Sequence, residues 1–512
     1  MRSHEPLAPI APVLRKEIRE LGTGNPLWVL MMLLSPLVGY SFIQAVALYA
    51  EASRPALAIP ELARQLSPFD GILVPTMGGF YLAITLLFPF IGIRLVATEK
   101  ASGGLKLLVQ LPYRLNDLVA AKFAALIAAW LVALIPVLSA LVGWVFLGGH
   151  LDIRETATLL LGHLLYALLI GAISFLAAAL TEGGATAAIL ALAVTLGSWV
   201  LDFAALDRGG VSSLLAALSL TSLLRPFEQG LLSIPTILAM LIATVGFLAL
   251  SVTWLPPGTP LKRKLSGSGL IVVVAAILIA TTAQAKTVLD VTPDRRNSFP
   301  PADEHVLGQL RDRLLVTVHM ASSDPRVADL DRKILARLKR AMPKVTVRIA
   351  DSGEASPLGT AGEADYGEIV MTYHGRSATT RSTGAGEILP MLYELAEVSS
   401  PAPGTIAPEE PGYPLVADAS NSAICSTAYN RLFLQPRGGL PPETGEFHGG
   451  DPEKKEMDHD DSGRRCYRDG GRYRCRMAFA CLAWCARAAR ILSGRFYDGG
   501  RSAGAGTTCP GT

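Results

Sequence analysis

Seven apolar stretches, each long enough to cross a lipid bilayer as a helix, fill the first part of this chain and leave few architectures open to it. They fall at about 27–49, 72–97, 123–147, 157–180, 185–205, 233–254 and 268–285, and charge is confined almost entirely to their ends. A hydrocarbon core needs about 20 residues of helix to span it. Backbone groups in lipid must satisfy one another, so these runs are expected to be helices and not isolated strands. Seven buried helices in succession would leave a water-soluble core too little polar surface. Only 17% of the 512 residues are charged, against roughly 25% in an average soluble domain. The deficit is local, because residues 286–512 read as an ordinary or even polar sequence.

The fold class expected is therefore mainly α: a polytopic membrane bundle of about seven spans, then a small soluble α/β domain, then an irregular tail. The expected boundaries are an interfacial helix over 1–26, the transmembrane domain over 27–285, the α/β domain over 286–400 and the tail over 401–512. The first apolar run begins only near Leu27, after a mixed-charge stretch with Arg15, Lys16, Glu17, Arg19 and Glu20, which is not the pattern of a cleaved signal. A net charge of +3 gives no global field that would favour nucleic acid as a partner.

Basic residues in the short loops set an orientation. With the N-terminus in the cytoplasm, the inner segments carry Arg2, Arg15, Lys16, Arg19, Lys100, Lys106, Arg114, Lys122, Lys262, Arg263 and Lys264. The outer ones carry only Arg54, Arg64, Arg154, Arg208 and Arg225. Seven crossings then place residue 286 onward outside. The run Val211 to Leu224 is too short to cross, and it is expected to lie at the outer surface or to re-enter. An extra crossing there would reverse everything after it.

Between the second and third spans lies Thr98-Glu99-Lys100-Ala101-Ser102-Gly103-Gly104-Leu105-Lys106-Leu107-Leu108-Val109-Gln110-Leu111-Pro112. Leu105, Leu107, Leu108 and Leu111 make a short amphipathic helix, Gly103 and Gly104 free the chain before it, and Pro112 ends it. Such a helix can dock in a partner's groove, with Glu99 and Lys100 setting the register. It can equally rest on lipid headgroups. The segment closely resembles the cytoplasmic loop of ABC-2-type transporter permeases, in which Lys122 would open the next span. The stretch Val13 to Glu20 looks like the interfacial helix of the same family.

The resemblance implies that Glu99, Lys100, Gly103, Gly104, Leu107, Leu108 and Pro112 contact a separate ATPase subunit. It also implies a second permease copy or a related permease around one pathway, in a bacterial inner membrane. The chain has no phosphate-binding loop of the G-x-x-x-x-G-K-[ST] type. ATP would thus be bound by the partner, and this chain is expected to hold no cofactor or metal and not to be an enzyme itself.

After Lys286 the apolar period changes. Leu314 to Met320 reads as a strand, and Val327, Leu330, Ile334, Leu335 and Leu338 recur at helix spacing. Val345 to Ile349 and Ile369 to Tyr373 read as strands, and Glu387 to Val398 as a closing helix. The string Asp290-Val291-Thr292-Pro293-Asp294-Arg295-Arg296-Asn297-Ser298, with this strand-helix-strand, resembles the extracytoplasmic domain of gliding-motility-type ABC auxiliary proteins. Asp294, Arg295 and Arg296 are expected to form a solvated turn, and His319 and His374 to be packing or surface histidines.

That second resemblance implies a further crossing after Gly412 to Asp418, yet no run of about eighteen apolar residues follows Asn421. The six cysteines, Cys425, Cys466, Cys475, Cys481, Cys485 and Cys509, fit no zinc spacing. We expect the reading frame to be altered near Asn421, so that the tail is not a folded domain.

Among function classes, a membrane enzyme would need nucleophiles, acids or ligands in its spans. These offer only His163 and Tyr166 on one helix face, and Asp202 near a span end. A secondary transporter is disfavoured by the lack of paired charges at mid-membrane depth. A membrane anchor presenting the outer domain is the remaining alternative to a permease.

Overall fold

The computed structural model describes residues 11–57, 59, 66–104, 114–204, 219–256, 258–284, 287–293, 295–321, 324–342, 344–349, 366–400, 467–469 and 472–474. The chain divides into two units, Met1–Val416 and Ala417–Thr512. In the second unit the described residues form one short antiparallel hairpin, Tyr467–Asp469 with Arg472–Arg474. The rest of the tail, with its six cysteines, lies outside the described residues.

The first unit opens with α1 (Ala11–Thr23), which buries Glu17 and Leu21 at i, i+4 spacing and leaves Arg15, Lys16, Arg19 and Glu20 exposed. Seven helical spans follow. They are α2 (Asn25–Ala56), a turn of π-helix (Phe69–Leu73) running into α3 (Val74–Ala101), and α4 (Leu115–Ala133) continued by α5 (Ile135–Phe146). Then come α6 (Ile153–Leu180), α7 (Gly184–Ala204), α8 (Ile234–Trp254) and α9 (Leu261–Thr282). The third span is split in two because Pro136, just inside α5, has no N–H to return to the preceding turn. Asp152 starts the fourth by accepting from the amides of Arg154 and Glu155, both at 2.9 Å.

All seven expected spans are present; the first runs on to Ala56, and two others begin well before their expected limits. The third begins at Leu115 and the seventh at Leu261, earlier than apolarity alone places them. In both cases the helix takes up basic residues whose charge is accommodated. Lys122 is paired inside the bundle, and Lys264 donates to the Trp254 carbonyl at 3.1 Å beside the indole face. The fourth span is central, with 72% of its apolar window buried, whereas none of the seventh's is. Residues 205–218, most of the short run before Leu224, lie outside the described residues.

Because the spans alternate in direction, α1 and the soluble region lie at opposite ends of the bundle. At the end away from α1, β1 (Leu231–Ser233) pairs antiparallel with β2 (Val288–Asp290), Leu231 opposite Asp290. This ladder was not expected. Gly230 makes the approach possible. It has φ +70°, and a Cβ there would sit 2.7 Å from the Thr292 methyl.

The soluble part is a four-stranded mixed sheet in the order β4-β3-β5-β6. Here β3 is Leu314–Val318, β4 Val345–Ile349, β5 Ile369–Tyr373 and β6 Arg376–Thr380. Strand β3 runs parallel to β4 and antiparallel to β5. Leu314, Val316 and Val318 alternate onto the buried face with Ile369, Met371 and Tyr373. They meet Leu307 from α10 (Pro301–Gln309), Val327 and Leu330 from α11 (Pro325–Leu330), and Ile334 and Leu335 from a π-helical turn. Leu338 from α12 (Ala336–Ala341), with Ile388 and Leu392 from α13 (Ala385–Leu395), completes the core.

The strands and helices expected from the periodicity are all present, with α10 one addition and β6 another. Its polar sequence hides it, but His374 and Gly375, with φ +54° and +78°, form the left-handed two-residue turn that favours a tight hairpin. The expectation of a solvated turn at 294–296 is corrected. Asp294 lies outside the described residues, Arg295 pairs with Glu304 at 2.9 Å, and Arg296 reaches back to the bundle. A positive side chain beside a buried carboxylate is held there by charge. His374 is a surface residue paired with Asp312 at 2.5 Å.

Candidate functional site

The third span carries a lysine well inside its helix, and an ammonium in lipid must find anionic or carbonyl partners. Lys122 is 3% exposed. Its Nζ lies 2.8 Å from Glu17 Oε1, 2.8 Å from Glu99 Oε2 and 2.8 Å from the Leu95 carbonyl. Two of its three protons go to Glu17 Oε1 and the Leu95 carbonyl, and Glu99 Oε2 faces the charge as an ion pair. Glu17 comes from the interfacial helix α1 and Glu99 from the last turn of α3. One cation therefore joins α1 to the ends of the second and third spans.

A second lysine closes the network from the water side. Lys16 Nζ donates to Glu99 Oε1 at 3.0 Å and lies 3.6 Å from Glu20, one turn along α1. The four charges Lys16, Glu17, Glu99 and Lys122 balance. Burial pushes the Glu17 carboxyl above its ordinary value, with the Lys122 ammonium pulling the other way. Burial works against the Lys16 ammonium, but the bond and charge from Glu99, with the charges of Glu17 and Glu20, outweigh it and its pKa is raised.

Lys100 turns the opposite way. Its Nζ donates to the carbonyls of Thr181 at 2.6 Å, Ala179 at 2.9 Å and Ala178 at 3.3 Å. These are the acceptors left without partners at the end of α6, where a cation is also favoured by the helix dipole. Thus Glu99 and Lys100, neighbours in sequence, tie the end of α3 to α1 and α4 on one side and to α6 on the other.

Immediately afterwards the helix stops. Gly103 adopts φ +73° with open space around it, and its amide returns to the Lys100 carbonyl at 3.3 Å. The Ser102 amide returns to Thr98 at 3.0 Å. This is the left-handed glycine stop of a helix C-terminus. Gly104 donates to Ser102 Oγ at 3.4 Å. Leu107, Leu108 and Pro112 lie outside the described residues.

The structure thus brings Glu99, Lys100, Gly103 and Gly104 together at the α1 end. It adds Glu17, Lys16 and Lys122, whose pairing sequence reasoning missed. The available signal was a lysine flanked on both sides by apolar helix.

Mid-bundle polar groups are used for helix contacts. Tyr166 OH and Thr85 Oγ1 share a hydrogen bond of 2.9 Å, and His163 Nδ1 lies 3.0 Å from the Leu159 carbonyl with its ring against Phe80. The side chain of Asp202 lies outside the described residues. Among the described residues no group of three or more His, Cys, Asp or Glu side chains is arranged to hold a metal ion.

Compared with known families, residues 11–281 match the family described as ABC-2 family transporter protein. The match begins with α1 and ends within the last turn of the seventh span, covering just over half of the chain. The chain matches no curated protein and no solved structure.

Proposed function

The chain belongs to the ABC-2 family transporter proteins, and from that premise we propose that it is the permease subunit of an ATP-driven transporter powered by a separate ATPase subunit. The observation that carries this reading is the Lys122 network. A push on the loop that leaves at Gly103 would be delivered to α1 and the second and third spans together, and through Lys100 to the fourth. A resting place on headgroups has no need of such bracing. The loop residues Leu107, Leu108 and Pro112 are the proposed contacts of the ATPase, with Gly103 and Gly104 setting the angle at which they leave.

The α1 end is proposed to face the cytoplasm of a bacterial cell, since Arg15, Lys16, Arg19, Lys100, Arg114, Lys262, Arg263 and Lys264 all gather there. The soluble domain then stands outside, as in the gliding-motility-type auxiliary proteins it resembles. A second permease copy would complete the pathway. The weakly buried fifth, sixth and seventh spans supply apolar surface for lipid and for that copy.

Affinity purification of the tagged chain from its own membranes tests the reading. The wild type should bring down a polypeptide that hydrolyses ATP, and Leu107→Asp should lose it while the permease stays folded. A permease that purifies without any ATPase, or a Leu107→Asp variant that retains it, would favour a membrane anchor instead.

A further inference from the structure

The segment between the last span and the soluble sheet is folded around one carboxylate. Asp290 Oδ1 accepts from the Thr292 amide at 3.2 Å and its hydroxyl at 2.6 Å, while Oδ2 accepts from the Asn297 amide at 3.0 Å and Ser298 Oγ at 2.8 Å. The Arg296 amide donates to Thr292 Oγ1 at 2.9 Å. These bonds tie the two ends of the stretch, 290–292 and 296–298, to each other through its own side chains.

Two bodies grip this loop by different means. From the soluble domain, Arg337 and Arg340 of α12 donate to backbone carbonyls. Arg337 reaches those of Arg296 and Ser298, and Arg340 reaches that of Asn297. Arg337 also lies over the Phe299 ring at 5.9 Å. From the bundle side the grip is a side chain. Arg296 Nη1 lies 3.0 Å from Asp70 Oδ2, and Nη2 pairs with Glu155 Oε1. The short β1–β2 ladder runs beside it, with Val291 N on the Gly230 carbonyl at 3.1 Å and Asn297 Nδ2 on the Gln229 carbonyl at 2.5 Å.

Asp70 begins the second span and Glu155 the fourth. A guanidinium fork has a fixed width, so it holds both carboxylates only while those two span ends keep their present spacing. Glu155 is 4% exposed and has its charge met by this arginine, whereas the Asp70 side chain is 63% exposed. One contact is therefore largely shielded from water, and the other is open to it and readily broken.

We propose that Arg296 is the bolt of a releasable latch, which seats the soluble domain on the ends of the second and fourth spans and lets it go when those ends move apart. The latch is a property of the fold and does not depend on what drives the bundle. It makes the domain a responder to span spacing, in place of a passenger on a flexible tether.

Hydrogen exchange of the full-length protein in lipid nanodiscs tests this directly. In the wild type, amides of 290–298 and 230–234 should exchange at least tenfold faster than those of 314–318 and 369–373, because the latch opens without unfolding the sheet. Arg296→Ala should raise exchange in 290–298 and 230–234 a further tenfold or more and leave the sheet unchanged. Adding Glu155→Ala to Arg296→Ala should have little further effect, since both remove one interaction. Arg296→Lys, which cannot bridge both acids, should fall between. The proposal is overturned if Arg296→Ala leaves the loop within twofold of wild type. It is equally overturned if sheet and loop amides accelerate together, because Arg296 would then be a folding element and not a release point.

Discussion

At each end of the bundle one cation is shared by two carboxylates, and the two arrangements differ in what they can do. Lys122 sits on a helix inside the bundle, and its partners Glu17 and Glu99 also sit on helices, two of the three charges being almost wholly buried. Arg296 sits on a loop from the soluble part, and one of its partners is largely in water. A point charge held among three buried oxygens behaves as a weld. A fork stretched between two span ends behaves as a clip. The comparison assigns rigidity to the end where a partner is proposed to push, and separability to the end that carries the soluble domain.

The largest effect should come from breaking the weld. Lys122→Ala takes from buried Glu17 its close cation and leaves Glu99 with Lys16 alone, and loss of one partner from a buried pair costs about 3–5 kcal/mol. Thermal unfolding in detergent should register this as a clear fall in Tm. Lys122→Met combined with Glu17→Gln and Glu99→Gln should recover much of it, since apolar or neutral replacements remove the charges together. A single Lys122→Ala variant as stable as wild type would make the network decorative.

The two glycines sharpen the contrast next. Gly230 and Gly103 both have left-handed backbones, but only Gly230 faces a neighbour, the Thr292 methyl at 2.7 Å from an added Cβ. Gly103→Ala should cost about 1–2 kcal/mol of backbone strain. Gly230→Ala should cost that and about 1–3 kcal/mol more for the clash, read as loss of protection in the β1–β2 ladder. Equal costs at the two sites would mean that the ladder yields freely.

The smallest effect concerns the exposed member of the inner network. The folded pKa of Lys16 lies above its ordinary value of 10.5, so its contribution is complete below that value and disappears as pH rises through the folded one. An exposed pair of this kind is worth about 0.2–1 kcal/mol. Stability measured from neutral to strongly alkaline pH should therefore show a small alkaline loss in the wild type that Lys16→Met lacks.

Much of this fold is legible in the sequence because lipid enforces a single solution on a long apolar run, and the α/β periods of Leu314–Val318 and Ile369–Tyr373 are equally plain. What escapes is long-range charge. Nothing local tells that Lys122 meets Glu17 across 105 positions, or that Arg296 meets Glu155 across 141. The string around Arg296 has the composition of a surface turn, and its order comes from Asp290 bonding back to Asn297 and Ser298. Glu99 and Gly103 stand out by type and spacing. That Glu99 and Lys100 are engaged with the bundle emerges only once α1 and the end of α6 are in place.

The central claim is that the loop after Gly103 is where a separate ATPase takes hold, on the same side as α1. Single cysteines at Leu107 and Leu108, in a chain whose tail cysteines are replaced by serine, should cross-link to the co-purified ATPase and react with a membrane-impermeant thiol reagent only when the cytoplasmic face is opened. Reaction of those cysteines from the outer face of intact cells, with no cross-link to an ATPase at either position, would contradict it.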